Sequence, residues 1–218
     1  AGGAPSVFNA VAHYGIVKKG PLYLMEGYRH IFVEGSLSRT ISAMGHFMLS
    51  DVCELTGLWG PNLFSYRKGI SPFTMVLVMR RSMYKILHSW GQIWILDWDE
   101  SGAFPKLAMR IMDEVLGIAD EEIGQGSIWK CQESFDQFYR RQKIYPVTEY
   151  GLGVPYHAED GALEGDSAGP TVYQACAAVR TNCAEFDGAV GFVVEGRSIS
   201  VSEFVFSDDR RLIHHSQA

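Results

Sequence analysis

Apolar residues recur along this chain with two different periods, and the switches between them sketch its elements. Two short extended segments lie between residues 14 and 33, on either side of Lys18-Lys19-Gly20-Pro21, and the second carries Tyr28-Arg29-His30-Ile31. Leu37, Ile41, Met44, Met48, Val52 and Leu55 then follow at three- and four-residue steps, the spacing of one helix face. Gly57 and the Gly60-Pro61 pair end that helix. Ser71-Pro72 opens another, with Ser as N-cap and Pro as first helical residue. Phe73, Val76, Arg80, Met83 and Leu87 line one side of it until Trp90-Gly91. The run Ile93-Trp94-Ile95-Leu96-Asp97-Trp98-Asp99 is too continuously apolar for a surface strand and reads as a buried one. Leu107, Ile111 and Val115 mark a third helix, stopped by Gly117, and residues 128–142 read as helical. Glycines at 151, 153 and 161 open a loop that ends at Pro170, and Val172, Ala175, Cys176 and Val179 define the helix after it. Gly188 to Phe206 reads as strand, turn and strand, with Leu212-Ile213 continuing the hairpin. Helices and strands mix without a regular βα repeat, which favours an α+β fold over a doubly wound sheet.

A length of 218 residues suits one large domain or two small ones. With 47% hydrophobic and 20% charged residues the chain has the composition of a soluble globular protein, and disorder is excluded. No apolar run reaches the roughly 20 residues of a membrane span. Residues 1–6 lack a charged segment followed by an apolar one, so no signal peptide is expected; the spread of the cysteines points to an intracellular protein, of nucleus or cytoplasm and not secreted. The missing initiator Met reads as a fragment or processed piece. A net charge of -6 argues against a free-standing nucleic-acid binder. The pairs Lys18-Lys19, Arg80-Arg81, Arg140-Arg141 and Arg210-Arg211 read, one by one, as solvated faces. Cys53, Cys131, Cys176 and Cys183 form no C-x-x-C pair, which argues against zinc and for reduced thiols, the last two packed in a helix core.

Chemistry enters with Asp208-Asp209, adjacent acids at the end of the strand-like stretch Val205-Phe206-Ser207. Adjacent carboxylates repel each other, and a divalent cation is the commonest reason to keep them together. Asp99 ends the earlier apolar run, so neighbouring strands would gather three carboxylates at one sheet edge, a magnesium site suited to phosphoryl transfer. By itself Asp99 also reads as a helix N-cap. Glycines 161, 165 and 169 let a backbone approach a ligand closely just before a helix starts, and also suit a plain surface loop. Gly165-Asp166-Ser167-Ala168-Gly169-Pro170 resembles the nucleophile loop of trypsin-like serine proteases. That remote alternative lacks the His context of those enzymes, and its upstream region is helical where two β-barrels are needed.

In order and spacing these elements resemble a reverse transcriptase, the RNA-directed DNA polymerase of non-LTR retrotransposons and group II intron-like retroelements. The first palm motif fits Asp99, Ala103 and Phe104, the second Gly161, Gly165, Gly169 and Pro170, and the third Phe206, Asp208 and Asp209. Tyr28-Arg29-His30-Ile31 is similar to the fingers motif Tyr-Arg-Pro-Ile, and Tyr66-Arg67-Lys68-Gly69 with Ser71 to a Phe-Arg-x-Gly-x-Ser segment. The resemblance implies polymerase fingers over residues 1–90, palm over 91–118, a fingers return or connector over 119–151 and palm again over 152–218, truncated before the thumb. It implies an antiparallel palm sheet packed on helices, and RNA template, DNA primer and dNTPs as partners. Asp99, Asp208 and Asp209 become catalytic and, with the Glu100 carbonyl, hold two Mg²⁺ ions (Mn²⁺ in their place); Asp97 is the rival of Asp99. Lys18, Lys19 and Arg29 would hold the triphosphate, and Phe104 would lie under the sugar and reject a 2′-hydroxyl. Gly165 would let the loop approach the incoming base pair, with Glu164 beside it. Departures are Glu164 for Gln, His30 for Pro, and Arg210-Arg211 where apolar residues are usual, available to pair with the template-primer backbone or with acids in the part missing after the truncation. A catalytically inactive, nucleic-acid-binding module of the same family is the alternative.

Overall fold

The computed structural model describes residues 10–18, 21, 27–99, 103–104, 106–124, 130–135, 140–183, 190–194, 197–201, 203–207 and 209–214. It is an α+β fold with antiparallel pairing in each of its sheets. Two compact units divide the chain, residues 1–52 with 104–173 and residues 53–103 with 174–218. No helix among the described residues is long and apolar enough to cross a membrane.

The first unit is built on a four-stranded sheet. β1 (Ala10–Val17) pairs antiparallel with β2 (Tyr28–Glu34) and parallel with β4 (Lys143–Thr148), which pairs with the short β5 (Gly151–Leu152). Val11, Ile144 and Leu163 form its core, with Phe32 and Ala158 packed against them. α3 (Met109–Ile123) and the single turn α4 (Cys131–Phe135) belong to the same unit, with most of the helix over Ser36–Leu55. α3 runs through Gly117 and ends at Gly124. An interior glycine costs about 1 kcal/mol relative to Ala, and the burial of Met112, Val115, Leu116 and Ala119 on either side overrides it. Of the helix expected over residues 128–142, α4 is formed, capped by the Asp120 carboxylate on the Cys131 and Gln132 amides at 2.6 and 3.0 Å, while residues 141–142 are not helical and lead into β4.

The second unit holds α2 (Pro72–Trp90) and the antiparallel sheet β3 (Trp94–Asp99), β9 (Asp209–His214), β8 (Glu203–Phe206), in that order. A separate hairpin joins β6 (Val190–Val194) to β7 (Arg197–Val201). The Ser71 capping box and a left-handed Gly91 bound α2 where the sequence places its ends. Phe64, Ile86, Phe204 and Ile213 make the core, filled out by Met75, Val78, Met79 and Met83.

Three expectations about burial are corrected. β3 is an edge strand, so Trp94, Ile95 and Leu96 stay 63%, 41% and 58% exposed rather than buried. On α2 the core face is the one through Met75, Val78, Met79, Ser82 and Ile86, and Phe73, Val76 and Leu87 look outward. α1 (Ser36–Leu55) buries Ser38, Ser42, Leu49, Ser50 and Cys53, while Leu37, Met44 and Leu55 are exposed. Small side chains on that buried face allow close approach, and Ser42 satisfies its hydroxyl on partners described below. α5 (Gly169–Cys183) is buried through residues 171–178, Cys176 among them; the Cys183 side chain lies outside the description.

Candidate functional site

The acidic strand ends come from the β3–β9–β8 sheet. Its register pairs Asp97 with Arg211 and Asp99 with Asp209 across β3 and β9, and Phe206 with Asp209 across β8 and β9. The backbones of Asp99 and Asp209 are therefore direct neighbours at one end of the sheet. Only Ser207 and Asp208 join β8 to β9. Asp208, Glu100 and the Asp99 side chain lie outside the described residues. Among the described residues no cluster of three His, Cys, Asp or Glu side chains is placed to hold a metal ion.

Asp97, two residues before Asp99, has its carboxylate taken up within the sheet. The Asp97 carboxylate is bound by Arg211, whose Nη2 donates to Oδ2 at 2.7 Å and whose Nε donates to Oδ1. The Arg211 hydrogen bonds hold Asp97 below the usual carboxylate range. Arg211 therefore pairs with an acid of its own unit, and its Nη1 also meets the Met79 sulfur at 3.2 Å. A carboxylate engaged in that way has fewer oxygen lone pairs left for any other partner.

A strip of chain from Asn62 to Tyr66 runs alongside β8. The Phe64 amide donates to the Val205 carbonyl at 3.0 Å and the Val205 amide to the Asn62 carbonyl at 2.9 Å. Arg67 anchors the strip: Nε and Nη2 bind the Glu54 carboxylate at 2.8 and 2.7 Å, and Nη1 binds the Gly60 and Leu63 carbonyls at 2.9 and 3.0 Å. The arginine of the Tyr66-Arg67-Lys68-Gly69 motif is thus a structural clamp.

In the first unit the glycine-rich loop is held by its own backbone. The Phe32 amide donates to the Glu164 carbonyl at 2.9 Å, and the Gly161 and Ala162 amides donate to Leu107 and Phe104 carbonyls at 2.9 and 2.8 Å. Gly165 has φ +110°, and a Cβ there would stand 2.5 Å from the Phe32 carbonyl oxygen. Its missing side chain makes room for β2. Asp166 is buried and caps α5, accepting from the Gly169 amide at 2.8 Å and from the Ser42 hydroxyl, while Ser42 accepts from the Ala168 amide at 3.1 Å. In a protease loop this aspartate would flank a nucleophile; here the segment is a helix cap in an α+β fold, and His46 bonds Thr171.

Glu34 lies in the same buried region and accepts from Gln142 Nε2 at 2.7 Å. Burial first, and the neighbouring Asp166 second, push its carboxyl up to about 7. Burial likewise raises Asp166, against the pull of its Ser42 and backbone hydrogen bonds. Phe104 is half-buried with its ring 4.8 Å from that of Tyr173, the fifth residue of α5. Arg29 is exposed on β2, opposite Ile16 on β1. The Lys18 amide donates to the Gly27 carbonyl at 2.8 Å; Lys19 is outside the described residues. Next to Arg29, His30 Nδ1 and His13 Nε2 share a hydrogen bond of 2.8 Å, and Tyr156 meets the other His13 nitrogen at 3.0 Å. The sequence shows His30 only as a departure from Pro in a motif, and gives no sign of His13 and Tyr156, nor of Ser42, Ser65 and Gln174, because single polar residues in apolar stretches carry no motif.

No protein-family model and no curated protein matches the sequence. Solved structures do match. An apo telomerase from Candida tropicalis has a TM-score of 0.68 at 11% identity, over 100% of this chain and 40% of its own. The same enzyme truncated from its C-terminal domain gives 0.66 at 10% identity, over 96% of this chain and 44% of its own. A telomerase from Candida albicans, in complex with the TWJ fragment of telomeric RNA, gives 0.64 at 11% identity, over 98% and 40%. The fold is reverse-transcriptase-like. At such identity the likeness is one of fold, and this chain spans less than half the length of those telomerases.

Proposed function

We propose that this chain carries the nucleotide-adding centre of an RNA-directed DNA polymerase, which extends a DNA primer on an RNA template with dNTPs. The observation that supports it best is the pairing of Asp99 with Asp209 at the mouth of the β8–β9 turn, in a reverse-transcriptase-like fold. Oxygen donors from adjacent acids are the ligand chemistry of Mg²⁺. Asp99, Asp208 and Asp209, with the Glu100 carbonyl, would hold the ions, Mn²⁺ replacing Mg²⁺. When bound, such ions supply charge neutralisation on the phosphates and a more acidic primer hydroxyl. Lys18, Lys19 and Arg29 bind the triphosphate, Arg29 as a planar fork and the lysines as point charges. Phe104, seated on Tyr173, excludes a 2′-hydroxyl by its bulk. Gly165 keeps the loop low over β2, with the incoming base pair above it. The retroelement assignment is supported by the five sequence motifs; the structural neighbours are telomerases.

Primer extension tests the reading. Asp99→Asn and Asp208→Asn are each expected to reduce dNTP incorporation by more than about 100-fold without loss of folding. Incorporation that survives both changes overturns it. The second reading, an inactive nucleic-acid-binding module, is favoured by Glu164, an acid where the motif has Gln. It predicts hybrid binding with no incorporation by the unaltered chain.

A further inference from the structure

We propose that Ser65 and Gln174 are positioning residues that hold the Ser207 backbone and thereby fix the strand end carrying Asp209. The proposal rests on the polymerase reading, since it serves the same acids. The strip from Asn62 delivers Ser65 to the β8–β9 turn. There the Ser65 hydroxyl donates to Gln174 Oε1 at 2.7 Å and accepts from the Ser207 amide at 2.9 Å. Ser65 and Gln174 are 1% and 0% exposed, so neither group has water as a substitute partner.

The turn has a physical need for this support. Ser207 has φ +60° and Tyr66 φ +55°, a left-handed conformation that non-glycine residues adopt when their surroundings hold them there. The two strained residues touch, Tyr66 Oη lying 3.1 Å from Ser207 Oγ. Gln174 sets the hydroxyl rotor: with the single Ser65 proton aimed at Oε1, a lone pair is left facing the Ser207 amide. Gln174 Nε2 is buried with no hydrogen-bond partner among the described residues. A Leu or Met would fill that place without an orphaned donor, so packing does not account for the amide. The relay is anchored at both ends, by α5 under Gln174 and by the Arg67 clamp on the strip that carries Ser65. A turn held in this way keeps Asp209 on its rung beside Asp99, and any loosening there changes the geometry presented to a cation before it changes the core.

Mn²⁺ titration of the purified chain, followed by the resonance of the free ion, tests this apart from catalysis. Asp99→Asn and Asp209→Asn serve as the reference for site loss. Ser65→Ala and Gln174→Leu are expected to weaken Mn²⁺ binding by about tenfold, and Ser65→Thr, which keeps the hydroxyl, by less than about threefold. Tyr66→Phe acts at a residue 40% exposed, where folding is not at risk, and is expected to weaken binding by about threefold. Mn²⁺ binding by Ser65→Ala, Gln174→Leu and Tyr66→Phe equal to that of the unaltered chain overturns the proposal. If Ser65→Ala and Gln174→Leu fail to fold, Tyr66→Phe decides. Mn²⁺ binding that ignores Asp99→Asn and Asp209→Asn overturns the polymerase reading instead.

Discussion

At the scale of single residues, the glycine-rich loop shows how a motif and a structural constraint coincide. Gly165 is required by backbone geometry alone, with φ +110° and the Phe32 carbonyl in the place of a Cβ. Gly165→Ala is therefore expected to destabilise the chain by about 2 kcal/mol or more, measured by urea unfolding. Phe104 is tested by chemistry instead. Phe104→Val removes bulk while keeping an apolar contact with Tyr173, and is expected to raise ribonucleotide incorporation relative to dNTPs by more than about tenfold. An unchanged ratio assigns the ring to packing on α5. The acids were legible in the sequence as strand ends, and the pairing of Asp97 with Arg211 was not, because a cross-strand ion pair is invisible until the register is known. Ser65, Gln174 and Ser42 were illegible for a related reason: a buried polar residue acquires meaning from the group that satisfies it.

Helices and strands carry a different lesson. The ends of α2 were readable, since Ser71, Pro72 and Gly91 act locally on the backbone. Which of its faces is buried was not, because α2 has apolar residues on both sides: Met75, Val78, Met79 and Ile86 inward, Phe73, Val76, Leu77 and Leu87 outward. β3 misled in the same way. An apolar run signals a strand that has something to bury, and says nothing about whether a neighbour lies on each side. As an edge strand β3 leaves Leu96 58% exposed. Leu96→Lys is expected to change unfolding free energy by less than about 0.5 kcal/mol and to reduce self-association at high concentration, read by light scattering. A large loss of stability would mean that this strand is covered.

The molecule as a whole has an acidic balance, and two neighbouring buried acids, Glu34 and Asp166, link its stability to pH. Glu34 is raised from 4.5 to about 7, chiefly by burial, with Asp166 adding repulsion and Gln142 and Arg39 opposing it. Between those two values the unfolded chain releases a proton that the native chain keeps, so the stability contributed by Glu34 is full below about 4.5 and is lost as the pH rises towards 7. Glu34→Gln is expected to flatten that slope and to raise the melting temperature at pH 8; an unchanged profile would place the titration elsewhere. The sequence by itself determined the α+β class, the start and stop of α2, the two acidic strand ends and the order of the motifs, because these depend on periodicity and on local backbone preferences. Only the tertiary structure decided that Asp99 neighbours Asp209, that Asp97 is taken by Arg211, that β3 lies at an edge, and that Ser65 and Gln174 meet at the acidic turn. Those are pairings between distant segments, and their energies come from which surfaces remain to be covered once the sheets have formed.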